Sequence, residues 1–315
     1  MSFALIFVLV AILALGVVAI ANETEAKDIT ITYVKSQDTT SVTTTLDTKA
    51  YANGKQIVKA GEEFTLPLTA DSSYVGQDGF QLVFYTEDGR TYKAGETVSF
   101  DKDTKLFRCV AKECYTISDV NYAMTNESIA AILMADITTN VGIDVRDQDM
   151  SALILNGHTI NMTRNGDIIG NQRSGKQILG EGTLNVTSTD GKVGSYYVFN
   201  SQGHGYNGTK NRSVIGRDVT INAPDFWLTQ DWDGTNGHHP WIRIYGNIDV
   251  YGLMITTTGP TRTQLFEIFE NAVVKINGPA LYQCYYKSSN TQYYYNNHAI
   301  QTRIYGGTLY LPAEA

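Results

Sequence analysis

The chain has 315 residues, 43% of them hydrophobic and 18% charged, with 28 glycines and a net charge of −8. That composition belongs to a folded protein with room for one large domain or two modest ones. No cluster of lysine and arginine interrupts the acidic balance, so the electrostatic footprint of a nucleic-acid binder is missing and no nucleic-acid partner is expected.

Residues Ser2 to Ala21 form an uninterrupted apolar run that ends at small residues before Asn22-Glu23-Thr24-Glu25. This reads as an export segment over 1–21, either a cleaved signal peptide or a retained membrane anchor, because no basic residue precedes it and its length approaches a membrane span. Either version places the body of the protein outside the cytoplasm, extracellular or at the cell surface, with the membrane touched only through this segment. Three cysteines are too few for a disulfide scaffold. Cys109 and Cys114 are close enough in sequence to bridge across a turn or to sit as buried thiols, and their spacing lacks the second pair a structural zinc site needs.

Residues 28–115 carry denser charge and short runs of period two, such as Phe80 to Phe84 and Thr97 to Phe100, with Glu87-Asp88-Gly89-Arg90 as a hairpin turn between runs. They predict a small β module. A linker over 116–139 follows, in which Asn126 to Met134 starts with a capping residue and holds helix formers. A short helix is expected there, covering the open end of what comes next.

After residue 150 a strand-sized unit, a polar or small residue followed by apolar, any, apolar, recurs six times. Its last apolar residues are Met162, Val186, Ile221, Val250, Ile276 and Leu311, so the steps lie between 24 and 35 residues. Each unit presents one apolar face that a lone strand cannot bury, and stacking coil on coil buries it as a continuous column. The unequal steps place loops of unequal length on one side of that column. The expected fold class is all-β, a right-handed parallel β-helix (β-solenoid) over 140–315 preceded by a small β-grasp-like module. An antiparallel β-sandwich is the rival. No capping helix follows Leu311, as in a solenoid truncated at its C-terminus.

The stretch Ala60 to Pro67, Gly79-Phe80, Tyr85 to Gly89, Tyr92 to Val98 and Asp103 to Phe107 resembles the Listeria–Bacteroides repeat of bacterial surface proteins, a diverged copy in which the usual tryptophans are replaced. Leu153 to Ile160, with its Leu-Asn-Gly-His-Thr-Ile core, is similar to strands of pectate-lyase-like parallel β-helix proteins. Together these resemblances imply an exported, adhesin-like or carbohydrate-engaging bacterial protein.

Chemistry concentrates in Asp225 to Arg243, which holds all three tryptophans. Tryptophan faces stack on sugar C–H surfaces, so the candidate ligand-binding residues are Trp227, Trp232, His239, Trp241 and Arg243. If the chain is an enzyme, Asp231, Asp233 and His238 are its candidate catalytic residues, since glycoside cleavage uses paired carboxylates. No resident metal or cofactor is expected, apart from Ca²⁺ if the chemistry is that of a lyase. Asp144, Asp147 and Asp149 around Arg146 are a weak match to such a lyase site, and Gly203-His204-Gly205 is a weak match to a polygalacturonase motif. Eight tyrosines between Tyr282 and Tyr310 suit a stacked ladder along the solenoid or an exposed binding strip. The leading function is recognition of an extracellular glycan or another host or cell-surface ligand. The alternatives are a polysaccharide lyase or glycoside hydrolase, and a structural spacer.

Overall fold

The computed structural model describes residues 26–35, 45–46, 54–68, 70–71, 76–125, 129–145, 151–169, 176–199, 212–230, 241–257, 264–284, 286–287, 293–294 and 300–313. They form an all-β fold dominated by parallel sheets in a solenoid-like arrangement. From Ala130 the chain alternates between two sheets. Each coil lays one strand in the first sheet, turns a corner of two or three residues, and lays the next strand in the second. The first pair is Ala130–Leu133 with Ile137–Thr139, and the last is Ile300–Tyr305 with Thr308–Tyr310. Return connections from the second sheet are longer and vary in length.

In-register parallel pairing produces the column that the repeat predicts. Ile137, Ile160, Leu184, Ile221, Ile248 and Val274 stack as one inward row, closed by Leu309. The first six are buried in one core cluster, with Leu309 packed against it; each such side chain contributes about 1.5–3 kcal/mol of burial. One unit is shifted from its sequence assignment. Ile221 pairs with Leu184 and Ile248, and Ala223 with Val250, so the third unit is Ile221 and Ala223 rather than Val219 and Ile221. On the outer face the asparagines hydrogen bond coil to coil: Asn222 Nδ2 donates to Asn185 Oδ1 at 2.9 Å, and Asn185 Nδ2 to Asn161 Oδ1 at 2.9 Å.

The helix lies elsewhere than the sequence suggested. It spans Ile117–Thr125, and the residues expected to be helical instead supply strand Ala130–Leu133, buried at every position. Thr116 and Asp119 form a reciprocal cap, the Asp119 N–H donating to Thr116 Oγ1 at 3.2 Å and the Thr116 N–H to Asp119 Oδ2 at 3.0 Å. Val120, Ala123 and Met124 pack into the solenoid core, so the helix does cover the column's first end.

Strand Thr104–Cys114 joins the N-terminal part to the solenoid. One of its edges carries Phe80–Tyr85 along residues 107–112. The other edge pairs with Asp28–Lys35 up to Arg108 and with Ala130–Leu133 from Ala111 onward, so a single 12-stranded sheet runs through both parts. The N-terminal core gathers Ile31, Tyr33, Phe84 and Leu106. Cys109 and Cys114 are both buried in this one strand. Five residues apart, they face opposite sides of it, so no turn brings them together.

Candidate functional site

The hairpin Phe80–Tyr85 to Thr91–Lys93 lies over the outer face of the first sheet, and its turn makes the contact. Gly89 adopts φ 83° and sits against Gly216, where a Cβ on Gly89 would lie 2.5 Å from the Gly216 Cα. Only glycine meets both demands at once, a left-handed backbone and a backbone-to-backbone approach. The Gly180 N–H donates to Gly89 O at 2.9 Å and the Arg217 N–H to Asp88 O at 2.8 Å. Ion pairs add to the seam: Arg217 Nε to Asp88 Oδ2 at 2.9 Å, and an Arg243 terminal nitrogen to Glu87 Oε1 at 2.8 Å. Val83, Tyr85, Ile132, Ile154, Leu179 and Tyr245 fill the space beneath.

Beyond the hairpin the same face carries an aromatic row. Tyr245 stacks on Phe269 with ring centroids 4.2 Å apart, and Phe269 on Tyr305 at 5.1 Å, each one coil from the next. Mutual stacking occupies most of the ring faces, and Tyr305 is exposed at the end of the row. Beside it runs a charged row. Glu267, with 5% of its side chain exposed, takes Arg243 Nε at 3.0 Å and faces Arg303 at 3.8 Å. Burial opposes the Arg243 charge, but Tyr245, Glu87 and Glu267 outweigh it and the guanidinium holds its proton more tightly than usual.

Where the hairpin turn meets strand Thr104–Cys114 and the start of the aromatic row, the surface opens into a cleft of about 540 Å³. Its walls bring together Tyr92, Phe100 and Tyr245 with Arg90, Arg217, Lys102 and Lys105. Tyr92 meets Phe100 edge to face at 5.8 Å. Burial raises the Tyr92 phenol, partly offset by Arg90, and pushes the Tyr245 phenol up to about 12, so both are neutral hydrogen-bonding hydroxyls at ordinary pH. The lining carboxylates already have partners: Glu87 holds Arg243, Asp88 holds Arg217, and Asp103 accepts the Thr30 N–H at 2.8 Å. A second groove of about 340 Å³ lies along the hairpin and shares Arg90 and Tyr92, but it is lined by Glu96, Glu181 and Asp218.

Of the residues singled out in the sequence, Trp227, Trp241 and Arg243 lie among the described residues. Trp227, half-buried, donates its indole N–H to Gly194 O at 2.8 Å and packs edge to face on Tyr251 at 5.4 Å. Its ring fills the space left by Gly252, where a Cβ would lie 2.4 Å from the indole. Arg243 belongs to the hairpin seam. Trp241 opens strand Trp241–Ile244, four residues and roughly 13 Å of extended chain from Tyr245. Asp231, Trp232, Asp233, His238 and His239 lie outside the described residues, as do the Gly203-His204-Gly205 motif, Arg146, Asp147 and Asp149, and segment 1–25. Of the tyrosine-rich segment, Tyr305 joins the aromatic row and Tyr310 is exposed on the last coil. Among the described residues no group of His, Cys, Asp and Glu is arranged to hold a metal ion.

The cleft residues were missed because each came from a different reading: a hairpin turn, a strand end and a corner between coils. Only the turn left a signal in the sequence. Compared with known proteins, the chain matches no family model, no curated protein and no solved structure.

Proposed function

We propose that this chain is an exported, adhesin-like surface protein that recognises an extracellular glycan in the cleft between the hairpin and the solenoid. The finer reading of the fold joins a diverged Listeria–Bacteroides-type module to a right-handed β-helix. What supports recognition is the combination of three aromatic side chains, two of them with a protonated phenol, and four cationic side chains around one cleft. Its volume falls within the range of small-molecule sites. Aromatic rings offer flat apolar area for sugar C–H faces, and the hydroxyls and guanidiniums offer directional donors. The state of the carboxylates favours binding over turnover. Glycosidic cleavage uses one carboxyl group as acid and another as base or nucleophile, whereas Glu87, Asp88 and Asp103 are each engaged by a cation or an N–H group.

A glycan array probed with the full chain, alongside assays for reducing ends and unsaturated products, tests the proposal. It expects binding without product, and binding lost in Tyr92→Ala. Product release would sink it in favour of catalysis, and silence in every assay would leave the spacer.

A further inference from the structure

The cleft carries a charge imbalance that narrows its ligand. The chain as a whole is acidic at −8, yet the walls place Arg90, Arg217, Lys102 and Lys105 against Glu87, Asp88 and Asp103. The three acids are already engaged. Glu87 is bound to Arg243, which approaches from outside the lining; Asp88 lies 2.9 Å from Arg217 and 3.7 Å from Arg90; Asp103 caps the Thr30 N–H. Subtracting the two ion pairs leaves Arg90 with Lys102 and Lys105, both exposed and neither in an ion pair among the described residues, against the single charge of Asp103, which the Thr30 N–H does not neutralise. Arg90 is only partly engaged: it sits loosely against Asp88 at 3.7 Å, and a guanidinium has five N–H donors to distribute.

The groove on the other side of Tyr92 has the opposite character. There Glu96, Glu181 and Asp218 face Arg90 and Lys93. The hairpin therefore divides two depressions of unlike charge, and an anionic group entering this region is drawn to the aromatic side and repelled from the other.

We infer that the cleft binds an acidic glycan, a sugar chain whose carboxylate or sulfate groups are met by Lys102, Lys105 and Arg90 while its ring faces lie against the partly exposed Tyr92 and Phe100. The inference rests on the glycan reading and adds the chemical class of the ligand. Carboxylate and sulfate share the chemistry that these cations recognise, ionised oxygens accepting charge-assisted hydrogen bonds. Exposed lysines at a rim act mainly through steering and through salt-dependent attraction.

Calorimetric titration of the full chain with three probes tests this: a uronate oligosaccharide, a sulfated galactan oligosaccharide and a neutral glucan oligosaccharide of similar length. The expected result is binding of at least one acidic probe and not of the neutral one, weakening as salt is raised. Lys102→Ala/Lys105→Ala is expected to lower that affinity roughly tenfold, with an unchanged denaturation midpoint because both side chains are exposed. Which acidic probe binds distinguishes uronate from sulfate. Binding of the neutral probe with equal affinity and no response to the lysine variant would overturn the acidic inference and leave glycan recognition standing. Binding of none of the three, with none on the wider array either, would overturn both. Tyr92→Ala separates the cases further, since it removes ring contact whatever the ligand's charge.

Discussion

Replacing Gly89 by alanine tests whether the hairpin is fastened to the solenoid as described. The substitution carries two costs. At φ 83° a side chain occupies the left-handed region, at about 1 kcal/mol. The new Cβ would also lie 2.5 Å from Gly216 Cα and 3.1 Å from Leu179 Cδ2, an overpacking of backbone against backbone that costs about 1–3 kcal/mol. The sum, about 2–4 kcal/mol, is a large share of a typical domain's 5–15 kcal/mol. Gly76 supplies the control, with φ 85° and nothing within 4 Å of a built Cβ. Gly76→Ala therefore carries the backbone cost alone. Urea denaturation of both variants isolates the contact cost as their difference, and hydrogen exchange locates it. Gly180 and Arg217 donate their N–H groups to Gly89 and Asp88, so in Gly89→Ala these two amides lose protection ahead of the core. Equal stability of the two variants, or unchanged exchange at those amides, would refute the docking.

Trp227→Ala is expected to lower stability by about 3–4 kcal/mol, as large-to-small changes at packed aromatics do, without altering glycan affinity; a loss of affinity at unchanged stability would return the tryptophan to the binding site. Cys114, whose thiol burial pushes up to about 12, should resist alkylation at pH 8 in the native chain and react after denaturation, which mass spectrometry reads directly. Tyr245 gives a pH signature. Below about pH 10 its phenol is neutral in both folded and unfolded chains, and between there and its folded value of about 12 only the unfolded chain ionises. Stability from this group is thus complete below pH 10 and declines as pH rises through that window, so Tyr245→Phe should show a shallower alkaline decline in urea titrations than the native chain.

The solenoid was legible in the sequence because its period is enforced by stacking. The apolar pairs at Ile160 and Met162, Leu184 and Val186, and Val274 and Ile276 are the pairs that face inward. The unit around Ile221 slipped by one pleat because Val219, Ile221 and Ala223 all keep the alternation, and only pairing with Leu184 and Ile248 chooses among them. Ala130–Leu133 looked helical because a short apolar run of alanine, isoleucine and leucine suits a buried strand equally well. The actual helix did announce itself, through Thr116 and Asp119 at capping-box spacing. The cleft was not legible. Asp88 and Arg217 are 129 residues apart, and Glu87 and Arg243 are 156 apart, and no local pattern links a hairpin turn to corners that far along the chain. Of the three tryptophans near residue 230, Trp227 packs against Tyr251 and Gly252.

The measurement that tests the central claim most directly is hydrogen exchange of the full chain with and without the tightest-binding oligosaccharide. The cleft account predicts ligand-induced protection at residues 86–92 and 102–105 and around Arg217 and Tyr245. Protection confined to residues 231–241, with the hairpin unchanged, would contradict it and move recognition to the tryptophan-rich segment.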